Sequence, residues 1–225
     1  VQVAAICGLI FVGKDFGTPV VICSVVMIML FASGLPKRYF GILMAICIPL
    51  MIAAVWFERY RLERIIAFLN PWKSIQESGF QLYQSFLAFG SGGFAGVGLG
   101  QSQQKLFYLP AAHTDFIYAI IGEEAGFVGA CSVIILFAGL MVLGMMVAFR
   151  AETRFGQLAA LGFTSLVTME ALLNIGVSIG ALPTKGLALP FISYGGSSLV
   201  AKMLLIGCLL NIARYPRRKD IKEVN

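Results

Sequence analysis

Apolar runs long enough to cross a bilayer recur along the whole of this 225-residue chain. A hydrocarbon core of about 30 Å takes roughly 20 apolar residues in helical form. By that measure 1–12 is a partial span, and 16–35, 39–57, 127–149, 156–179 and 197–213 are spans, the last one shorter. Each must be helical, because an open strand leaves backbone polar groups unsatisfied in lipid. The expected fold is an all-α integral membrane protein, a polytopic helical bundle forming a single membrane domain over 1–225. Composition agrees: 59% of residues are hydrophobic and 12% charged, half the charge of an ordinary soluble domain. Intrinsic disorder, collagen and a disulfide-stapled miniprotein are excluded on the same figures.

The formal charge of +6 does not point to nucleic acid, since the basic residues sit mostly in short loops and in the tail. The five cysteines, Cys7, Cys23, Cys47, Cys131 and Cys208, lie inside apolar stretches with no CxxC pair, so neither a zinc site nor a disulfide framework is expected. The chain opens inside an apolar run, without a charged leader, which suggests that residues precede Val1.

Lysine and arginine in short loops set the orientation. Lys37, Arg38, Arg150, Arg154, Arg214, Arg217, Arg218, Lys219 and Lys222 fall on one side, against Lys14 and Lys185 on the other. The richer side is the cytoplasmic one, so the tail 214–225 is expected inside. The loops 58–126 and 180–196 then face outward, and any chemistry they carry takes place at the outer surface.

The first outer loop begins with Glu58–Arg64, ERYRLER, which reads as a solvated interfacial helix or as one drawn to anionic headgroups. From Gly79 the pattern is that of a membrane-skimming or re-entrant amphipathic helix. Gln81, Gln84, Ser85 and Ala88 share one face, suited equally to sugar hydroxyls and to helix packing. Glycines then crowd at 90, 92, 93, 96, 98 and 100, for tight turns and close backbone approach or, more weakly, as a nest of N–H groups for a phosphate. In LPAAHTDFIYAIIGEEAG, Thr114 or Asp115 could cap the following helix, and His113 is the sole histidine. Asp115, Glu123 and Glu124 are carboxylates entering a span, a costly placement that marks function by default.

The second outer loop contains ALPTKGLALPFISYGGSS. Lys185 sits there among apolar residues and calls for an anionic partner, a carboxylate or a lipid phosphate. Tyr194, Gly195 and Gly196 lead into the last helix, whose start favours anions, with Ser197 or Ser198 as the simple cap. Glu170 and Lys202 fall within spans, where they either pair, snorkel or line a polar cavity.

HTDFIYAIIGEEAG and PTKGLALPFISYGGSS closely resemble blocks of the SEDS family (shape, elongation, division and sporulation), the polytopic glycan-strand polymerases of the FtsW and RodA type. KDFGTPVV at 14–21 and the stretch 79–110 resemble it too, in the same order along essentially the whole chain. YLP, PTKGL and LLNIAR look more like the cell-division branch. Family members usually have ten spans with both ends in the cytoplasm, so the resemblance matches this chain to the last six.

The resemblance implies an inverting glycosyltransferase acting on lipid II at the bacterial inner membrane. Asp115 would be the catalytic carboxylate and Lys185 the functionally important lysine. Gln81, Gln84, His113, Thr114, Tyr194, Gly195 and Gly196 complete the expected substrate-binding set, with no metal ligand assigned. It further implies a divalent cation, Mg²⁺ or Mn²⁺, held partly by the substrate's pyrophosphate. Implied partners are undecaprenyl-pyrophosphate-linked glycan, a class B penicillin-binding protein and other membrane proteins of the division machinery, and no nucleic acid. This chain has Phe107 and Ala111 where many division-type members carry acidic residues, so no auxiliary carboxylate is expected there. A flippase or transporter of lipid-linked precursor, and a non-catalytic division scaffold, are the alternatives.

Overall fold

The computed structural model describes residues 2–13, 17–56, 58–69, 79–104 and 114–215. Among them the chain forms helices α1 (Gln2–Val12), α2 (Gly17–Ala32), α3 (Lys37–Trp56), α4 (Arg59–Leu69), α5 (Phe80–Gly92), α6 (Ile117–Glu124), α7 (Gly126–Arg150), α8 (Arg154–Ser178) and α9 (Gly196–Ala213). No strand occurs among the described residues. α7, α8 and α9 are long and apolar enough to cross a membrane, and α2 is a shorter apolar helix. Leu136, Leu143, Met203 and Leu204 all stand exposed. In water such surfaces would drive aggregation; in a bilayer they are the solvated faces.

The described residues divide into two compact units. One holds those up to Leu35, then Ile134–Ala171 and those from Gly195 onward. Its helices pack through small side chains. Ala148, Ala160 and Leu209 form a buried cluster, with Val147, Leu161, Ile206 and Ile212 against it. Small residues let membrane helices approach closely where no hydrophobic force drives association. The Arg154 guanidinium donates to the carbonyls of Ala32 and Ser33 at 3.1 and 3.3 Å, satisfying the end of α2. Within the same unit Lys202 Nζ meets Glu170 Oε1 at 2.6 Å, so of the readings open for these two the structure realises the ion pair.

The second unit holds Pro36–Val133 and Leu172–Tyr194, again in their described residues. Its core joins α5, α6 and the end of α8: Ala88, Phe116, Ala119, Ile120 and Val177 are buried, with Phe89, Ile117 and Leu182 packed on them. Burying an aromatic such as Phe116 contributes about 1.5–3 kcal/mol. That contact also fixes the neighbouring Asp115. α8 ends where Gly180 takes φ 72°, and the N–H groups of Ala181 and Leu182 return to the Gly176 carbonyl. A left-handed residue at that point is the usual helix stop, and it turns the chain into the second outer loop.

Candidate active site

Asp115 lies half-buried one residue before Phe116, whose φ of −114° and ψ of 22° mark the N-cap of α6. No side chain caps that helix, so neither Thr114 nor Asp115 has the capping role open to it in sequence. The Thr114 side chain is hydrogen-bonded to the Asp115 carboxyl instead. Burial pushes that carboxyl above the ordinary carboxylate range, while the Thr114 bond and the charge of Arg64 pull it part of the way back.

The second outer loop is brought to the same place. A methyl group built on Gly186 would stand 3.4 Å from Asp115 Oδ2, an ordinary van der Waals distance, so this turn lies beside the carboxylate. Lys185, half-buried, is the neighbouring residue in the chain. Two side chains hold the loop in place. Asn174, 1% exposed on α8, donates through Nδ2 to the Asp115 carbonyl at 2.7 Å and the Leu187 carbonyl at 2.6 Å. Ser193 Oγ accepts from the Leu189 N–H at 2.7 Å and donates to the Thr114 carbonyl at 2.5 Å. The turn between them holds Phe191 at φ 67°, a left-handed conformation that costs a bulky residue about 1–3 kcal/mol.

α4 supplies a member that the sequence reading missed. Arg64 Nη1 donates to the Thr184 carbonyl at 3.1 Å, so this end of ERYRLER is turned toward the site. Ala67, one turn on, is buried, and Arg64 shares its face rather than that of the exposed Glu63.

The polar stripe of α5 points into the protein. Ser85 is fully buried and donates to the Ser178 carbonyl at 2.6 Å; Gln84 is buried and Gln81 half-buried. Ser85 and Ala88 thus realise helix packing. No hydrogen bond joins Gln81 or Gln84 to Asp115 among the described residues. His113 lies outside the described residues. Tyr194 is exposed and closes the second unit, whereas Gly195 and Gly196 belong to the first. Gly195 is the N-cap of α9 and no side chain caps that helix, so Ser197 and Ser198 do not cap it.

The glycine-rich segment folds back on α6. The N–H groups of Gly96, Val97 and Gly98 bond to the carbonyls of Gly92, Glu123 and Glu124, so they are occupied and form no nest for a phosphate. Gly96 has φ 83°, and a Cβ there would strike the Glu124 carbonyl. Glu123, 2% exposed, closes the arrangement from inside. Its carboxylate accepts from Ser102 Oγ, from Ser91 Oγ at 3.3 Å, and from the N–H groups of Gln103 at 3.2 Å and Gln104 at 3.4 Å. This is a structural knot, with its charge spent on the chain around it.

No three His, Cys, Asp or Glu side chains converge on a common point among the described residues. Asp115 has a hydroxyl and a guanidinium for company, a poor donor set for a resident cation. The arrangement is a partly desolvated carboxylate facing a turn that carries a lysine, suited to taking a proton from a hydroxyl beside an anionic group.

The sequence profile of the FtsW, RodA and SpoVE family, described as cell cycle proteins, matches residues 1–218. The chain belongs to that family. It is 43% identical over 213 residues to a probable peptidoglycan glycosyltransferase FtsW of Geobacter metallireducens, covering 95% of this chain and 57% of the relative. It is 42% identical over 203 residues to stage V sporulation protein E of Bacillus subtilis, covering 90% and 56%. Among solved structures, one from work on coordination of polymerization and crosslinking by a peptidoglycan synthase complex superposes with a TM-score of 0.77 at 28% identity, covering 94% of this chain and 59% of that one. A mutant of the rod shape determining protein RodA of Thermus thermophilus gives 0.60 at 26%, covering 94% and 54%. The family's membrane fold is therefore that of this helical chain, and the chain spans about half the length of the curated relatives it matches.

Proposed function

We propose that this chain carries the catalytic face of a peptidoglycan glycosyltransferase of the cell-division type, which transfers a growing glycan strand from undecaprenyl pyrophosphate onto lipid II. The observation that carries the reading is the meeting of Asp115, its carboxyl raised by burial, with the Lys185–Gly186 turn. The names of the relatives at 42–43% identity support the chemistry. The excess of lysine and arginine on one side supports an outward site and a cytoplasmic tail.

In the reaction the 4-hydroxyl of lipid II attacks the anomeric carbon of the growing strand. A C–O bond forms there as the bond to the pyrophosphate oxygen breaks, and the configuration inverts. The hydroxyl proton passes to Asp115. Base catalysis of this kind contributes about 10²–10⁴-fold. Lys185 stabilises the negative charge of the departing pyrophosphate. A divalent cation would arrive as the counter-ion of that pyrophosphate, and no step above depends on it. His113, Thr114, Tyr194, Gln81 and Gln84 remain the proposed sugar and peptide contacts. The buried Gln84 would need α5 to move. The partner is a class B penicillin-binding protein at the septum, a reading supported by the solved synthase complex that the chain resembles.

Purified protein supplied with labelled lipid II tests the reading. Polymerised glycan with release of undecaprenyl pyrophosphate is expected, and Lys185→Ala should weaken lipid II binding. Labelled lipid moved between leaflets with no glycan product would make the chain a transporter instead.

A further inference from the structure

Arg64 lies beside the candidate base, and the chemistry above gives it nothing to do. Its guanidinium holds the carbonyl of Thr184 at 3.1 Å, and two residues further along a Cβ on Gly186 would stand 3.4 Å from Asp115 Oδ2. One short turn is thus held by the arginine at one end and lies beside the carboxylate at the other. The geometry points to a role that rests on the reading of Asp115 as the base. We infer that Arg64 is a positioning residue for Asp115: its guanidinium holds the Thr184–Gly186 turn beside the carboxylate and sets a positive charge near it.

The two halves of this role need the same side chain. A planar guanidinium can bond a carbonyl with one edge and present positive charge elsewhere, which a single ammonium does less well. Burial works against ionisation of Asp115, and Arg64 opposes it. Other charged residues lie on the elements around the site. Arg61 and Glu63 share α4 with Arg64, and Glu63 is exposed. Lys185 lies on the turn itself. On α6, the Glu123 carboxylate is taken up by Ser91, Ser102 and two backbone N–H groups, and Glu124 lies at that helix's far end from Asp115. Asn174 and Ser193 are neutral and bond to backbone around Asp115. The charge of Arg64 acts on the carboxyl against the effect of burial.

Carbodiimides label protonated carboxyls, so labelling of Asp115 across a pH series, read by peptide mass, reports its ionisation without any turnover. In Arg64→Gln the labelling midpoint should rise above that of wild type, in line with loss of a nearby opposite charge. The acid limb of lipid II polymerisation should rise with it. In Arg64→Lys the midpoint should rise less than in Arg64→Gln, because the charge is kept while the carbonyl is held less well. A midpoint unchanged in Arg64→Gln, or raised in Arg64→Lys as far as in the uncharged variant, overturns the inference. Arg64→Met carries the same check where the glutamine variant does not accumulate. Polymerisation that survives Asp115→Asn would remove Asp115 as base, yet leave the labelling shift to stand or fall by itself.

Discussion

A methyl group on Gly186 would stand 3.4 Å from Asp115 Oδ2, although 70 intervening residues separate the two in sequence. That proximity brings together the two loops whose residues carry the proposed chemistry. Neither loop is held there by its own secondary structure. The bond comes from side chains of α8 and of the loop itself, chiefly Asn174 and Ser193.

Removing those ties should loosen the site before it unfolds the protein. Asn174→Ala leaves two carbonyls, those of Asp115 and Leu187, without their donor. A buried polar group left unpaired costs about 1–3 kcal/mol. Ser193→Ala frees the Leu189 N–H and the Thr114 carbonyl. Both variants should melt lower in detergent and polymerise lipid II more slowly. Unchanged melting of Asn174→Ala would show that the amide is not the tie.

Glu123 should prove structural. Its carboxylate gathers two hydroxyls and two N–H groups, and bonds to a charged group are worth about 1.5–3 kcal/mol each. Glu123→Ala should expose the segment around Gly93–Gln104 to limited proteolysis, and Glu123→Gln should do so less. Proteolysis identical to wild type in both would contradict the knot.

The Glu170–Lys202 pair, at 2.6 Å, leaves one charge alone in apolar surroundings when either partner is cut away. Lys202→Met and Glu170→Gln should each lower the melting temperature more than the double variant does. Additive losses across the cycle would mean that the two side chains are not coupled.

Asp115 should cost the fold some stability at neutral pH. Its carboxyl is raised by burial, so the folded protein holds that proton more tightly than the unfolded chain. The stabilisation is complete below the unfolded value of about 3.9 and is lost as pH rises through the raised folded value. Asp115→Asn carries no such charge. Its melting temperature should equal or exceed that of wild type at neutral pH, the difference closing as the pH falls. A variant that melts well below wild type at neutral pH would count against a desolvated carboxylate.

Much of this was legible in the sequence because it is local. The apolar runs around α2, α7, α8 and α9, the helix after Gly79 and the glycine-driven close approach at Gly96 are written into short windows. The pairing of Glu170 with Lys202 was one of the readings open for two charges within spans, and it is the one the structure takes. Other features depend on distant partners. Asn174 looks like one polar residue in an apolar helix until Asp115, 59 positions earlier, is seen to need its amide. Arg64 read as a solvated charge because its partner, Thr184, lies 120 positions on. The capping roles offered to Thr114, Asp115, Ser197 and Ser198 were sound by residue type. Thr114 is instead bonded to the Asp115 carboxyl, and Gly195 is the N-cap of α9 with no side-chain bond.

The most direct measurement is glycan synthesis from purified lipid II by Asp115→Asn beside wild type, with both proteins checked for equal folding. Loss of about 10²-fold or more in rate, with lipid II still bound, is expected if this carboxylate removes the acceptor's proton. Glycan made by the asparagine protein at the wild-type rate would contradict it.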